Sequence, residues 1–447
     1  MRYQYVLLPA LASLAFAQDD TLSVSDNPAP TPDALPIEDL RDIPVPTFTV
    51  VTGVTAQDIP YATASAIAEV VSAVAATPLS VFPAATDVPI NAAGSDDSTA
   101  EEDGNVNVIS TSNTKVKRDP SGVARQPRKR AACGAEPTIP NFYEVQLDTA
   151  ANFRADAKIA SVAEGANKSP TGYFQNFKNL KGSVSAMNYL GYTVVNTGKG
   201  YDVDFCAAKC TAKSGCFAFN IFFERNPTLN PGPDCKNPPA FANIKCSFWG
   251  SGLEEKLATN KGQWRYNFEV AIAGSNAYTS YKLGGPVDGW TGPQNLGNAA
   301  MNAPLWDCTN TWSYLGYRLL QAGSVDPNLC AAACNKQTEY NTEQPAHNAD
   351  GSLKPAVTCN AFGSYILTKS NATGTYQQGQ MCTFYTAYWD KKFAVNTASG
   401  DAAIGAKYTY SYSSFYGKAD AQPACGGDFV SAEGTYIKGG EKPAASA

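Results

Sequence analysis

The residues best equipped for chemistry are twelve cysteines, one histidine, a scatter of carboxylates and many aromatic rings. Cys206-Ala-Ala-Lys-Cys210 and Cys330-Ala-Ala-Ala-Cys334 share a Cys-x-x-x-Cys spacing, which sets two sulfurs one turn apart on one helix face. Such a pair can ligate zinc in a reducing cell or form disulfides outside it. The start of the chain decides between these. Arg2 supplies a positive charge, Val6 to Phe16 is apolar, and Ala15-Phe16-Ala17 is a small-x-small cleavage site before Gln18. Residues 1–17 are therefore expected to be a signal peptide and the protein to be secreted. Disulfides are the default, and no metal or other cofactor is expected.

The lone histidine, His347, sits in a polar loop with Asn348 and Asp350, a poor setting for a triad that needs an oriented imidazole. Glu224, Asp234, Glu254, Glu255, Asp307 and Asp390 could serve a histidine-independent carboxylate glycoside hydrolase, but their spacing singles out no pair. Gly284-Gly285 and Gly426-Gly427 read as turns rather than phosphate loops. Catalysis is not expected.

The aromatic residues point elsewhere. Tyr408, Tyr410 and Tyr412 alternate, so one strand would carry three phenols on one face. Cross-strand packing is the commoner use of such a row, and stacking on sugar rings is the other. The six tryptophans face the same choice. Trp290, in Gly-Trp-Thr-Gly-Pro, is expected to be the most exposed of them, so Tyr408, Tyr410, Tyr412 and Trp290 form the candidate ligand surface. Asn371-Ala-Thr373 is a good N-glycosylation sequon, and Asn167-Lys-Ser169 a weaker one because Pro170 follows.

The elements that must position these residues fall into regions of different composition. Residues before Ala131 hold 9 basic and 16 acidic side chains, and the rest hold 25 and 24. A near-neutral body argues against nucleic acid and against a polybasic membrane patch, and no later stretch is apolar enough for a membrane span. Residues 18–130 contain no cysteine or tryptophan and end in Arg128-Lys129-Arg130, a basic cluster of the kind cut by Kex2-type proteases. This region is expected to be a disordered, low-complexity acidic pro-region. Either it is removed after Lys129-Arg130 or it stays attached as a linker. Ala62 to Ala76 could form a helix, but nothing nearby looks like its partner.

After Ala131 the sequence repeats itself. Tyr189-Leu-Gly-Tyr192 recurs as Tyr314-Leu-Gly-Tyr317, and each copy continues through its Cys-x-x-x-Cys. Cys216-Phe-Ala-Phe219 and Cys246-Ser-Phe-Trp249 match Cys359-Asn-Ala-Phe362 and Cys382-Thr-Phe-Tyr385. Asp202 or Asp204, and Asp326 with Pro327, stand where helix caps belong. Phe217, Phe219 and Ile221 alternate as in a strand, as do Phe362, Ser364 and Ile366.

A Cys-x-x-x-Cys helix followed by two strands, each bringing one cysteine, resembles the PAN/apple module. The stretches CAAKCTAKSGCFAFNIFFERNPTLNPGPDC, NIKCSFWG, GQWRYNFEVAIAGSNAY and AYWDKKFAVNT resemble a family of secreted proteins of filamentous fungi whose motifs carry no assigned activity. The resemblance implies an α+β fold of two PAN/apple-like modules, 131–275 and 276–447, each one helix stapled by disulfides to a small antiparallel sheet. It implies the bridges Cys206–Cys246, Cys210–Cys216, Cys330–Cys382 and Cys334–Cys359, with Cys308–Cys425 as a terminal bridge, which leaves Cys133 with Cys235. It also implies binding rather than catalysis. The expected partner is a cell-wall glycan or an extracellular protein, besides a Kex2-type processing protease. A structural wall glycoprotein without a defined ligand is the alternative.

Overall fold

The computed structural model describes residues 40–79 apart from 46, residues 108–109, and residues 131–419 apart from 141, 304–312, 322, 346 and 348–349. The expected signal peptide, the Lys129-Arg130 site and the Cys308–Cys425 bridge lie outside the described residues. The N-terminal elements are β1 (Ala56–Asp58), α1 (Thr63–Ala76) and β2 (Val108–Ile109). There follow α2 (Ala150–Ala155), α3 (Ala157–Gly165), β3 (Tyr173–Leu180), β4 (Tyr189–Val194), α4 (Val203–Ala212), β5 (Ala218–Pro227) and β6 (Ala240–Trp249). A short hairpin, β7 (Trp264–Arg265) and β8 (Phe268–Glu269), precedes β9 (Ala271–Ser280). The last elements are β10 (Trp290–Gly297), β11 (Tyr314–Leu320), α5 (Pro327–Glu343), β12 (Ala361–Asn371), β13 (Gly374–Tyr385), β14 (Ala398–Asp401) and β15 (Ala406–Lys418).

The strands form a six-stranded sheet, β1-β4-β6-β5-β9-β3, and a seven-stranded sheet, β10-β15-β12-β13-β11-β2, with β14 added along β15. The expectation of two modules of one helix on a small sheet is therefore wrong: strand outweighs helix in the described residues, and the strands form two large sheets. Two physical reasons account for the difference. First, strands form where the sequence carries turn signals: β10 contains Gly292-Pro293, yet it pairs with β15 by shifting register there. Second, the stretch expected to be disordered contributes structure. β1 pairs with β4, β2 pairs with β11, and α1 packs on α5. Ala66, Val70 and Val74, spaced one turn apart, form the buried face of α1. The partner that the helix lacked in sequence is a segment more than 200 residues away. The first sheet also continues through β9 to Ser280, across the expected division at 275/276.

Local chemistry places the two cysteine helices. Asp202 caps α4, its Oδ1 accepting from the Phe205 N–H at 3.0 Å while Oδ2 accepts from the Thr197 hydroxyl at 2.8 Å. Asp326 caps α5, with Pro327 in the first turn, and accepts from the Asn328 N–H at 2.9 Å. Asp202→Ala is expected to lower the unfolding free energy by about 1 kcal/mol, measurable as a shifted urea midpoint with an unchanged slope.

Each helix is stapled to its sheet. Cys206–Cys246 and Cys210–Cys216 hold α4, and Cys330–Cys382 and Cys334–Cys359 hold α5. Cys133–Cys235 closes a fifth bridge. These five bridges fit an extracellular or secreted protein. One large buried cluster runs from Val70 and Val74 through Cys206 and Phe219 to Leu329, Cys330 and Phe362, so both sheets share a core with the N-terminal helix. Among the described residues, no helix is long and apolar enough to cross a membrane.

Candidate functional site

The tyrosine row does not form an open platform. Tyr408 and Tyr410 are buried with Tyr317, Tyr365, Leu367 and Met381, beneath Leu40 and Ile43. The Tyr408 hydroxyl donates to the Leu40 carbonyl at 3.3 Å, and burial pushes its pKa up to about 12. Tyr365 meets the Tyr410 ring edge-on at 5.1 Å. The alternation then breaks. Ser364 faces Ser414 and Ile366 faces Ser411, so β15 carries an extra residue at this point. Tyr412 lies in the bulge with φ +55° and points away from the other two. Its hydroxyl donates to the Leu253 carbonyl at 2.6 Å and accepts from the Asn176 amide at 2.9 Å, across the seam between the sheets. Trp290, expected to be exposed, is half-buried with its ring edge-on to Phe362 at 4.7 Å. Tyr408 and Tyr410 are buried and Tyr412 and Trp290 half-buried, so the four do not form one open surface.

The other tryptophans divide sharply. Trp249 and Trp389 are buried, and Trp264 is 67% exposed. Trp306 and Trp312 lie outside the described residues. Trp264 opens the β7–β8 hairpin, opposite Glu269, and the turn residue Tyr266 is 56% exposed. Between them, Arg265 turns inward. Its Nη2 donates to Glu136 Oε1 at 2.6 Å and to Asn230 Oδ1 at 2.7 Å. Glu136 is buried, and the Asn230 carbonyl accepts from the Cys133 N–H at 2.9 Å. The hairpin thus rests on the loops closed by Cys133–Cys235, and the Asn267 N–H adds a bond to the Lys236 carbonyl at 3.0 Å. Strand alternation turns Trp264 outward from an inward Arg265, and Tyr266 is displayed from the turn that follows.

Tyr266 has φ +52°, in the left-handed region, which costs a bulky residue roughly 1–2 kcal/mol. Strain of this kind is retained where the surroundings over-determine it, and it clusters at binding sites. Lys261, Gln263 and Asn267 around the two rings are exposed polar groups, so the aromatics do not merge into an apolar patch. The sequence contained the signal in outline: Gln263-Trp-Arg-Tyr-Asn267 alternates aromatic with polar residues. Nothing local told Trp264 from Trp290.

Three of the six carboxylates considered for a hydrolase hold structural contacts. Glu224 pairs with Lys245, Glu254 accepts from Ser411 Oγ at 3.1 Å and pairs with Lys256 at 3.0 Å, and Asp390 caps a short turn by accepting from the Lys392 N–H at 2.9 Å. Asp234 and Glu255 are exposed, and Asp307 lies outside the described residues. His347 is exposed in a loop bridged to Leu353. Among the described residues, no three His, Cys, Asp or Glu side chains converge as a metal site. Of the sequons, Asn371-Ala-Thr373 forms the β12–β13 turn, with Asn371 Oδ1 accepting from the Thr373 N–H and hydroxyl. Asn167 is exposed in the loop after α3. No protein-family model, curated protein or solved structure matches this chain.

Proposed function

We propose that this is a secreted, non-catalytic binding protein of the cell wall or extracellular matrix that takes a glycan chain across Trp264 and Tyr266. The carrying observation is a hairpin, anchored through Arg265, that leaves Trp264 67% exposed while the other described tryptophans pack inward. An indole face in water offers a flat apolar surface to the CH groups of a pyranose ring. Gln263 and Asn267 beside it offer amides to the sugar hydroxyls. A protein-docking surface favours a contiguous apolar centre, and the polar neighbours here favour a sugar instead. Anchoring by Arg265 and the Cys133–Cys235 loop limits the ordering entropy lost on binding.

Co-sedimentation with insoluble β-glucan, chitin and cellulose tests this reading. The wild-type protein is expected to leave the supernatant saturably with at least one of them. Tyr266→Asn is the informative variant, because asparagine tolerates a left-handed backbone. Its expected result is weaker sedimentation with a thermal midpoint equal to or above wild type. Wild-type protein that stays in solution with every polysaccharide contradicts the proposal.

A further inference from the structure

The N-terminal stretch enters the fold as a continuous arm across both sheets. Leu40 and Ile43 close over Tyr408, Tyr365 and Leu367, and Arg41 pairs with Asp401 at 2.8 Å while its carbonyl accepts from Lys369 Nζ at 3.0 Å. Phe48 packs on Tyr189 and Trp249, with ring centroids 4.8 and 5.2 Å away. β1 then covers the edge of the first sheet in antiparallel register, Gln57 opposite Tyr192, and Asp58 pairs with Lys213. α1 buries Ala66, Val70 and Val74 beside α5. Beyond it, the Leu79 N–H donates to Gln337 Oε1 at 2.9 Å, Gln337 Nε2 donates to the Leu79 carbonyl at 3.1 Å, and Arg318 donates to the Thr77 carbonyl.

The repeated Tyr-Leu-Gly-Tyr motif carries the imprint of this arm. A Cβ on Gly191, at φ +104°, would lie 2.0 Å from the Gln57 carbonyl oxygen. The equivalent Gly316, at φ +108°, faces Leu79, whose Cδ1 would be 3.2 Å from such a Cβ. In both copies the glycine sits where the arm crosses. An open sheet edge is prone to pairing with foreign strands; the arm occupies the edge formed by β4, and β2, later in the same N-terminal stretch, occupies the edge formed by β11.

We infer that residues 40–79 are a permanent structural component, so that a cut between this arm and Ala131 yields a two-chain protein in which the arm stays seated without a covalent link. Every cysteine lies at or after Cys133, so no disulfide can tie the arm to the body. The arm is therefore its own partner surface: an apolar helix face and an edge strand, both complementary to the body.

The test uses full-length protein with a site-specific protease sequence inserted between residues 119 and 128, which makes it independent of whether Lys129-Arg130 is cut in the cell. After cleavage, both fragments are expected to co-elute as a 1:1 complex on native gel filtration and to separate in denaturant without reductant. Val70→Asp with Val74→Asp, both changes confined to the arm, should speed its loss from the cut complex by at least about tenfold, since each buries a carboxylate in an apolar contact. An arm that elutes alone from wild-type cut protein, while the body keeps its thermal transition, overturns the inference. Unchanged retention of the double-Asp arm overturns it as well.

Discussion

Replacing Cys206 and Cys246 together by alanine should lower the unfolding free energy of the oxidised protein by about 4 kcal/mol, whereas replacing Cys210 and Cys216 should lower it by about 2 kcal/mol. The difference lies in the unfolded chain. The first bridge spans a sequence separation of 40 and the second a separation of 6, so the first removes far more loop freedom from the denatured ensemble. Both bridges end on α4, so the variants perturb the same helix. Cys206, Cys210 and Cys246 are fully buried, so alanine avoids leaving an unpaired hydroxyl in the core. Guanidinium denaturation without reductant measures both costs. Equal losses would show that local strain or packing at α4, rather than chain entropy, dominates. Cys330–Cys382, with a separation of 52, should behave like Cys206–Cys246.

Trp264→Ala is expected to weaken polysaccharide binding by at least about tenfold, the equivalent of roughly 1.4 kcal/mol of lost stacking. The same substitution should change stability by less than about 0.5 kcal/mol, because the indole makes little contact with the fold. Tyr408→Ala provides the opposite control. That ring is fully buried beneath the arm, so its removal should destabilise the protein by roughly 3–5 kcal/mol. Binding should survive in whatever fraction of that variant remains folded. A result with the roles exchanged, Tyr408→Ala folded but non-binding and Trp264→Ala fully active, would return the ligand surface to the second sheet.

What could be read from the sequence was what short-range chemistry determines. Cys-x-x-x-Cys, with an aspartate one turn before it, marks a capped helix with two sulfurs on one face, and α4 and α5 are such helices. The alternating runs after Cys216 and Cys359 lie in long central strands whose hydrogen-bond partners are near in sequence. What could not be read depends on distant segments. The residues of α1 carry a clear apolar stripe, but its complement on α5 lies far along the chain. β1 and β2 are short edge strands made by pairing, with no periodic signal of their own. For the same reason, both sheets exceed the small sheet expected.

The candidate site shows the same limit at the level of single rings. Tyr408, Tyr410 and Tyr412 alternate in sequence, and an ideal strand would keep them on one face. One inserted residue in β15 puts Tyr412 out of phase, and the arm covers the other two. Trp264 and Trp290 both sit in polar, turn-rich surroundings. Phe362 happens to receive Trp290, while Arg265, drawn inward by Glu136, turns Trp264 out to solvent. Exposure of a single aromatic is decided by its tertiary neighbours, which a local pattern does not specify.

Fluorescence titration of the protein with soluble β-glucan and chitin oligosaccharides probes the exposed indole itself. Stacking a sugar on Trp264 should give a saturable blue shift in the wild-type protein. Trp264→Ala should show no such shift, at an unchanged melting temperature. Oligosaccharide binding of undiminished affinity in Trp264→Ala, measured by calorimetry, would contradict the hairpin as the glycan site.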